Sequence, residues 1–278
     1  MEAISELGTA GADALFGGSI AQIYDRNLGP VLFEPYARDL ARRLADHPAG
    51  PVLETACGTG ILTRELRKRF PRSVRIVATD VSQSMLDYAR TECNELEDVE
   101  WTFADAAALP FPSATFAAVA CQFGLMFVGD KRAAFAEARR VLVQGGTLAF
   151  SVWDCIADNP VQRAVHQTVS SFFPQCAPEF FDVVHGFYDR HVIRCLLEAH
   201  GFDGRIETVT LEAHCPSAAA VAIGTVKGTP ISAAIREAGI DIDRVVDAVT
   251  DALARLGGNR PFRSTMQAFV VVARARAG

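Results

Sequence analysis

The residues best suited to chemistry lie in one short turn and in an acid that follows it. Residues 52–60 read V-L-E-T-A-C-G-T-G and lead from a predicted strand into a predicted helix. Gly58 and Gly60 allow the backbone to approach a ligand where a Cβ would clash, and free N–H groups at the helix start favour a negative group. Asp80, 20 residues past Gly60, ends the next strand and can accept both hydroxyls of a ribose. This spacing predicts a nucleoside-binding site.

The type of nucleoside is indicated by Glu54, at the strand end inside the same turn. The dinucleotide fingerprint G-x-G-x-x-G requires a third glycine, but from Gly58 the chain reads G-T-G-I-L-T and has Thr63 there. A buried carboxylate would repel a pyrophosphate and attract an ammonium group. The pattern therefore favours S-adenosylmethionine, whose amino-acid end carries an amine, over a nicotinamide dinucleotide. The alternative is that Glu54 and Asp80 only cap helices or pair with arginines.

Strands and helices alternate through the first half of the chain, as a parallel sheet with helices on both faces requires. Apolar runs predict five strands, and helical periodicity with caps and breakers predicts the helices between them. The predicted strands are 51–55, 74–79, 99–103, 115–121 and 146–153, followed by 205–211 and 265–272. The expected fold class is α/β, a Rossmann-like, doubly wound, mostly parallel seven-stranded sheet.

Two segments interrupt this rhythm within what we expect to be a single domain over 1–278. Residues 154–187 and 212–262 are predicted as helical insertions after strand 5 and between the last two strands, and as a lid over an acceptor molecule. Residues 1–47 are predicted as a leader and a helix that cover the cofactor. Aromatic side chains concentrate between 172 and 188, where a satellite core is the alternative to a lid: Phe172, Phe173, Phe180, Phe181, Phe187 and Tyr188.

Composition excludes several classes of protein. Of 278 residues, 50% are hydrophobic and 22% charged, which excludes disorder for most of the chain. The net charge of −6 argues against nucleic acid as a partner. The most apolar window, 114–129, is interrupted by polar residues, so we expect no membrane insertion. Seven scattered cysteines without a C-x-x-C pair predict reduced thiols, no metal site and a cytoplasmic location. The oligomeric state stays open.

Several of these motifs together resemble a known family. The segments E-T-A-C-G-T-G, A-T-D-V-S-Q-S-M-L and F-A-D-A-A-A-L-P-F are similar, in order, to the cofactor motifs of class I S-adenosylmethionine-dependent methyltransferases. C-Q-F-G-L-M-F and E-A-R-R-V-L-V-Q-G-G resemble the fourth and fifth strands of that family. The branch with the closest likeness contains the ubiquinone and menaquinone biosynthesis methyltransferases. The likeness covers about residues 20–153, with a weaker part at 188–211, and departs at Ala56, where the family usually has glycine.

The resemblance implies a role for each motif residue. Glu54 would bind the methionine amine, Asp80 the ribose hydroxyls, and Asp105 the exocyclic amine of the adenine. The remaining positions would line the same cofactor: Ala56, Gly58 and Gly60 in the turn, Val81, Met85 and Ala106 around the adenine, and Gln122 and Phe123 beside the sulfonium.

Residues that could act on the acceptor are harder to identify from the sequence. His185, in V-V-H-G-F-Y-D, is the better of two candidate general bases, and His166 is the other; a structural histidine is the alternative for each. Tyr24, in I-Y-D-R-N-L-G-P, would fold over the cofactor or else anchor the leader on the domain.

The predicted function is transfer of a methyl group from S-adenosylmethionine, with S-adenosylhomocysteine as the product. The acceptor would be a small, apolar or ring-containing molecule, methylated at O, N or C. Two alternatives are kept: a catalytically silent partner subunit that binds the cofactor, and a nicotinamide-dependent oxidoreductase.

Overall fold

The computed structural model describes residues 19–45, 50–96, 98–174 and 177–276. Within these ranges the chain forms one sheet with helices on both faces. The predicted leader before residue 19 and the end of the predicted N-terminal helix, residues 46–47, lie outside the described residues.

The sheet has seven strands in the order β3-β2-β1-β4-β5-β7-β6. Strands β1 to β5 run parallel to one another. Strand β7 runs antiparallel to both β5 and β6. The predicted mostly parallel, doubly wound sheet is therefore confirmed. The strands are β1 Val52–Glu54, β2 Ile76–Asp80, β3 Val99–Phe103, β4 Phe116–Gln122, β5 Leu142–Trp153, β6 Phe202–Cys215 and β7 Phe262–Ala275.

Eleven α-helices pack on this sheet or extend from it in the described residues. They are α1 Ser19–Leu28, α2 Glu34–Ala45, α3 Ile61–Arg69, α4 Gln83–Glu92, α5 Lys131–Val141, α6 Pro160–Ser170, α7 Phe180–Val184, α8 Arg190–Ala199, α9 Ala218–Lys227, α10 Ile231–Glu237 and α11 Ile242–Gly257. Side chains cap several of them. The Ser82 hydroxyl accepts from the Met85 N–H, as the sequence predicts, and the Asp130 carboxylate accepts from the Ala133 N–H.

The strand order determines where a ligand can bind. Strand β1 lies between β2 and β4, so the chain turns to opposite sides of β1 at the carboxyl ends of these strands. Glu54 pairs with Ala78 on one side and with Ala120 on the other. Open α/β sheets bind ligands in the crevice at this reversal point, which is where the predicted site residues come together.

The last two strands are longer than their sequence patterns predict. They form an antiparallel pair from Phe202↔Ala275 to Cys215↔Phe262, so pairing extends past both predicted ends. The segment between them comprises the helices α9, α10 and α11. Much of β6 lies at the exposed sheet edge, where polar residues on both faces hide the alternation that marks a half-buried strand.

The N-terminal helix starts earlier than the sequence predicts. Helices α1 and α2 are joined by a π-helical turn, Gly29–Phe33, with Pro30 at its start. Apolar periodicity predicts a helix only over residues 31–47, directly after this proline, and a proline inside a helical pattern indicates a helix boundary. Helix α2 is fixed to the sheet by the buried Tyr36 hydroxyl, which donates toward the carbonyls of Val209 and Met266.

Among the described residues, no single helix has the length and apolar character needed to cross a membrane. Helices α9 and α10 would pass that test only as a pair, and the chain bends by 70° between them.

Candidate functional site

The glycine turn after β1 is held by backbone hydrogen bonds to both neighbouring strands. The Thr55 N–H donates to the carbonyl of Ala120 in β4, and the Cys57 N–H donates to that of Thr79 in β2. Ala56 and Gly58 have φ values of +53° and +54°, in the left-handed region. The turn therefore places successive peptide groups at the carboxyl edge of the sheet.

The two glycines of this turn differ in what surrounds them. A Cβ on Gly58 would meet no atom within 4 Å, so that side of the turn is open to a ligand. A Cβ on Gly60 would lie 3.0 Å from Cys93 Sγ and 3.1 Å from Trp101. Gly60 is thus required by packing and by its φ of +80°. At position 58, the absence of a Cβ leaves space for a ligand to approach the backbone. Contacts of either glycine with the cofactor stay predictions.

The Asp80 carboxylate is oriented by two backbone N–H groups. Its Oδ2 accepts from the Gly58 N–H at 2.7 Å, and its Oδ1 accepts from the Ser82 N–H at 2.8 Å. Carboxylate oxygens can each accept more than one hydrogen bond. The arrangement fits a carboxylate that also accepts from the hydroxyls of a sugar.

Glu54 is buried at the end of β1, with 1% of its surface exposed. Its Oε2 accepts a 2.7 Å hydrogen bond from the Thr63 hydroxyl in α3. Burial raises the pKa of Glu54 to about 8, with Thr63 opposing and the Asp80 charge adding to the rise. A cation placed here would stabilise the charged carboxylate. The residue that replaces the third glycine of the dinucleotide fingerprint, Thr63, thus orients this acid.

The predicted adenine-side residues follow β2 and β3. Met85 is buried at the start of α4, and Val81 and Ala106 are half-buried. The exposed Asp105 accepts from the Ala107 N–H at 2.8 Å, as an ordinary turn residue does. All four lie along the same edge of the sheet as Asp80, and their contacts with adenine stay predictions.

The residues predicted beside the sulfonium follow β4. The Gln122 side chain donates to the carbonyl of Phe33 at 2.7 Å, linking β4 to the π-helical turn. Phe123 has a φ of +51° and stacks on Trp153, with ring centroids 4.1 Å apart. The sharp turn directs Phe123 into an aromatic cluster whose other members are Tyr24, Phe33 and Tyr36.

Ala56 is accommodated by a glycine in the neighbouring loop. A Cβ on Gly124 would lie 2.4 Å from the Ala56 Cβ and 2.8 Å from Cys121 Sγ. The loops after β1 and β4 can therefore touch only because position 124 has no side chain. This explains how the chain tolerates alanine where the resembled family usually has glycine.

An apolar cavity lies beside the loop after β4. Its empty space, including its open mouth, is about 600 Å³. Five parts of the molecule contribute to its walls: the N-terminal helices, the loop after β4, the end of β5, the first insertion and the second insertion. The lining residues are Tyr24, Leu28, Leu32, Phe33, Phe123, Met126, Phe127, Trp153, Gln162, Phe180, Phe181, Val184, Thr225 and Thr229.

Tyr24 lies between this cavity and the glycine turn. Its ring stacks on Phe33 with centroids 4.8 Å apart, and it lines the cavity. Burial, followed by the charges of Asp25 and Asp80, raises its pKa well above the usual range. The next residue, Asp25, accepts from the Thr59 hydroxyl at 2.7 Å and so fixes helix α1 over the turn.

The aromatic residues between 172 and 188 do not act as one group. Phe180 and Phe181 line the cavity. Phe172 packs under Arg244, Phe187 packs under Lys131, and Tyr188 is exposed. The lid interpretation therefore concerns only two of these six aromatic residues.

His185 caps the short helix α7 and is buried, with 4% of its surface exposed. Its Nδ1 lies 2.7 Å from the carbonyl of Asp154, which can only accept, so Nδ1 carries the proton. Nε2 is buried and has no partner among the described residues. Burial lowers the pKa of His185. The ring is thus neutral with a bare Nε2, as a base requires, but His185 does not line the cavity.

His166 is half-buried, and its ring packs edge-on against Phe181 at 5.7 Å. It too lies outside the residues that line the cavity. The structure places both histidines in the first insertion, and both rings contact Phe181.

Most of the cavity residues were missed by sequence reasoning, and two of them matter most for its chemistry and shape. Trp153 ends β5, and Gln162 lies in α6 among the valines of its buried face. A glutamine on an otherwise apolar helix face was a signal in the sequence, since polar residues at core positions are unusual.

Comparison with known proteins agrees with this geometry. Residues 52–146 match a family model described as a methyltransferase domain. The chain is 35% identical to a 2-phytyl-1,4-naphtoquinone methyltransferase of Thermosynechococcus vestitus, over 47% of this chain and 59% of that protein. It is 33% identical to a demethylmenaquinone methyltransferase of Deinococcus radiodurans, over 63% and 66%. The matches thus span less than two thirds of these relatives.

The YcgJ protein of Bacillus subtilis has a similar solved structure, with a TM-score of 0.57 and 18% identity over 88% of this chain and all of that one. This likeness shows the fold. Together the findings show a methyltransferase domain over residues 52–146 that is similar to the class I S-adenosylmethionine-dependent methyltransferases. Within that family it resembles the quinone-biosynthesis methyltransferases. The predicted resemblance to this family is confirmed, and S-adenosylmethionine is the cofactor that this resemblance implies.

Proposed function

We propose that this chain binds S-adenosylmethionine at the glycine turn and transfers its methyl group to a small, apolar, ring-containing acceptor. The methylated atom would be O, N or C, and S-adenosylhomocysteine would be released. The two quinone-type relatives support a ring acceptor by analogy. A cytoplasmic location is part of the proposal.

The turn residues fit the cofactor one by one. Glu54 would hold the methionine amine, since a buried carboxylate with a raised pKa gains from a nearby cation. Asp80 would hold the ribose hydroxyls while it keeps its two backbone N–H bonds. The open side of Gly58 leaves space for the ligand between them.

The observation that carries the acceptor proposal is the cavity that adjoins this turn. Tyr24 and Phe123 belong to its walls and also lie at the predicted cofactor site, so the two spaces share these residues. The remaining walls are almost entirely aliphatic and aromatic. Such walls favour an apolar molecule and exclude water.

The chemistry requires little from the protein beyond orientation and exclusion of water. When bound, S-adenosylmethionine supplies an electrophilic methyl group for an in-line displacement. The aromatic walls would hold the acceptor in one pose. His185 Nε2, which is unprotonated, would accept a proton from the acceptor if the cavity opens toward it. Tyr24, which stays protonated, would donate a hydrogen bond rather than act as a base.

The test is a turnover assay on the full chain with S-adenosylmethionine. Release of S-adenosylhomocysteine would be measured with a panel of possible acceptors. The panel contains quinols, phenols and aromatic amines of one ring size, together with charged aliphatic amines. We expect turnover with apolar ring acceptors and none with charged aliphatic amines. Tight cofactor binding with no turnover on any acceptor would contradict the proposal and support a silent partner subunit.

A further inference from the structure

One polar side chain of the acceptor cavity has both of its polar atoms buried without a partner. Gln162 lies in α6 and is 4% exposed. Neither Nε2 nor Oε1 has a hydrogen-bond partner among the described residues. A buried amide without partners destabilises a protein, because it has lost its bonds to water and gained none in return. A neutral leucine of similar size would avoid that cost.

The other polar groups that the insertions contribute to the cavity are already bonded. The Thr225 hydroxyl donates to the carbonyl of Val221 at 2.9 Å, within its own helix. The Thr229 hydroxyl donates to the carbonyl of Thr225 at 2.7 Å. Gln162 is therefore the polar group in this part of the wall that has both donors and an acceptor available.

We infer that Gln162 recognises the polar edge of the methyl acceptor. This inference rests on the proposed function. The carboxamide donates through Nε2 and accepts through Oε1. Its complement is a ring with a hydroxyl on one atom and a second oxygen on the neighbouring atom, as in a vicinal diol or a hydroxy-carbonyl pair. One oxygen accepts from Nε2, and the hydroxyl of the other donates to Oε1.

The charge of the cavity limits the acceptor further. None of the described residues that line it carries a carboxylate, an ammonium, a guanidinium or an imidazole. Moving an ionised group into such a space without a counter-charge is strongly unfavourable. A neutral carboxamide therefore selects a neutral oxygen pair, and charged acceptors such as carboxylates or phosphates are rejected.

Two probes of equal shape test this. Naphthalene-2,3-diol carries the neighbouring oxygens, and 2,3-dimethylnaphthalene replaces them with methyl groups. Their dissociation constants are measured by calorimetry with S-adenosylhomocysteine present, for wild type and for Gln162→Leu. We expect the ratio of the two constants to shift by at least about tenfold in favour of the dimethyl compound in the variant. Gln162→Met provides a second, flexible replacement.

The matched control is Ser232→Ala in α10. The Ser232 hydroxyl is also buried without a partner among the described residues, but it does not line the cavity. This variant should leave the ratio unchanged, while both Gln162→Leu and Ser232→Ala should keep or raise the melting temperature. An unchanged ratio in Gln162→Leu and Gln162→Met would overturn the inference. If neither naphthalene binds wild type, the apolar acceptor cavity itself is wrong and the inference falls with it.

Discussion

The cofactor half and the acceptor half of the site are stabilised by different interactions. On the cofactor side, the polar groups of Asp80 and Glu54 are fixed by hydrogen bonds to Gly58, Ser82 and Thr63. On the acceptor side the walls are apolar, and Gln162 has no partner among the described residues. The cofactor half is thus set by short-range bonding within strand-end loops. The acceptor half depends on how separate segments of the chain pack together. Its unpartnered polar group, the Gln162 carboxamide, is the one we propose to contact the acceptor.

The largest effect should come from the proposed general base on the acceptor side. His185→Ala should lower turnover by about a hundredfold, the lower end of the range for loss of a general base, and leave cofactor affinity intact. His185→Asn is the matched variant, because its side-chain amide can still donate to the Asp154 carbonyl while offering no imidazole base. Unchanged turnover in the asparagine variant would make His185 a structural residue.

For the cofactor half, Asp80→Ala should weaken binding of S-adenosylhomocysteine by about 1–3 kcal/mol, through lost charge-assisted hydrogen bonds. Calorimetry measures the dissociation constant. Asp87→Asn, on the exposed face of α4, is the control and should have no effect. If Asp80→Ala binds as tightly as wild type, Asp80 does not hold the ribose.

The contact between the loops after β1 and β4 predicts an effect of similar size, but on stability rather than on binding. Gly124→Ala should lower the free energy of unfolding by about 1–3 kcal/mol, because its new Cβ would overlap Ala56 and Cys121. Ala56→Gly removes one of these overlaps and relieves a left-handed alanine. The double variant should recover part of the loss in chemical denaturation. Strict additivity of the two changes would contradict this contact.

The pH dependence of stability should report on the buried Glu54 carboxyl of the cofactor half. The pKa of Glu54 is raised from 4.5 to about 8 by burial, so the native state holds this proton more tightly than the unfolded chain. The contribution is fully present below pH 4.5 and is lost as pH rises toward 8. Glu54→Gln should remove this slope in denaturation curves recorded between pH 5 and 8. A slope that is identical in wild type and variant would show that Glu54 titrates normally.

Much of the fold could be predicted because its signals are local. The apolar runs of β1, β2 and β4, the Ser82 cap and the glycine turn all act within a few residues. Strands β6 and β7 were predicted too short, because their ends pair with residues distant in sequence and carry exposed polar side chains. Likewise, helix α1 was not predicted, because the proline in the π-helical turn breaks the helical pattern between α1 and α2.

The site was predictable to the extent that short motifs define it. Glu54, Asp80 and Gly58 lie together at one sheet edge, as their spacing indicates. The packing role of Gly60 depends on Cys93 and Trp101, which are far from it in sequence. The cavity walls come from five separate parts of the chain, so Trp153 and Gln162 could not be grouped from spacing alone.

A crystal structure with S-adenosylhomocysteine would test the central claim most directly. The account predicts the amine of the ligand at the Glu54 carboxylate, the ribose hydroxyls at Asp80, and the sulfur directed toward Phe123 and the apolar cavity. A ligand whose sulfur faces away from that cavity, or whose amine lies remote from Glu54, would contradict the account.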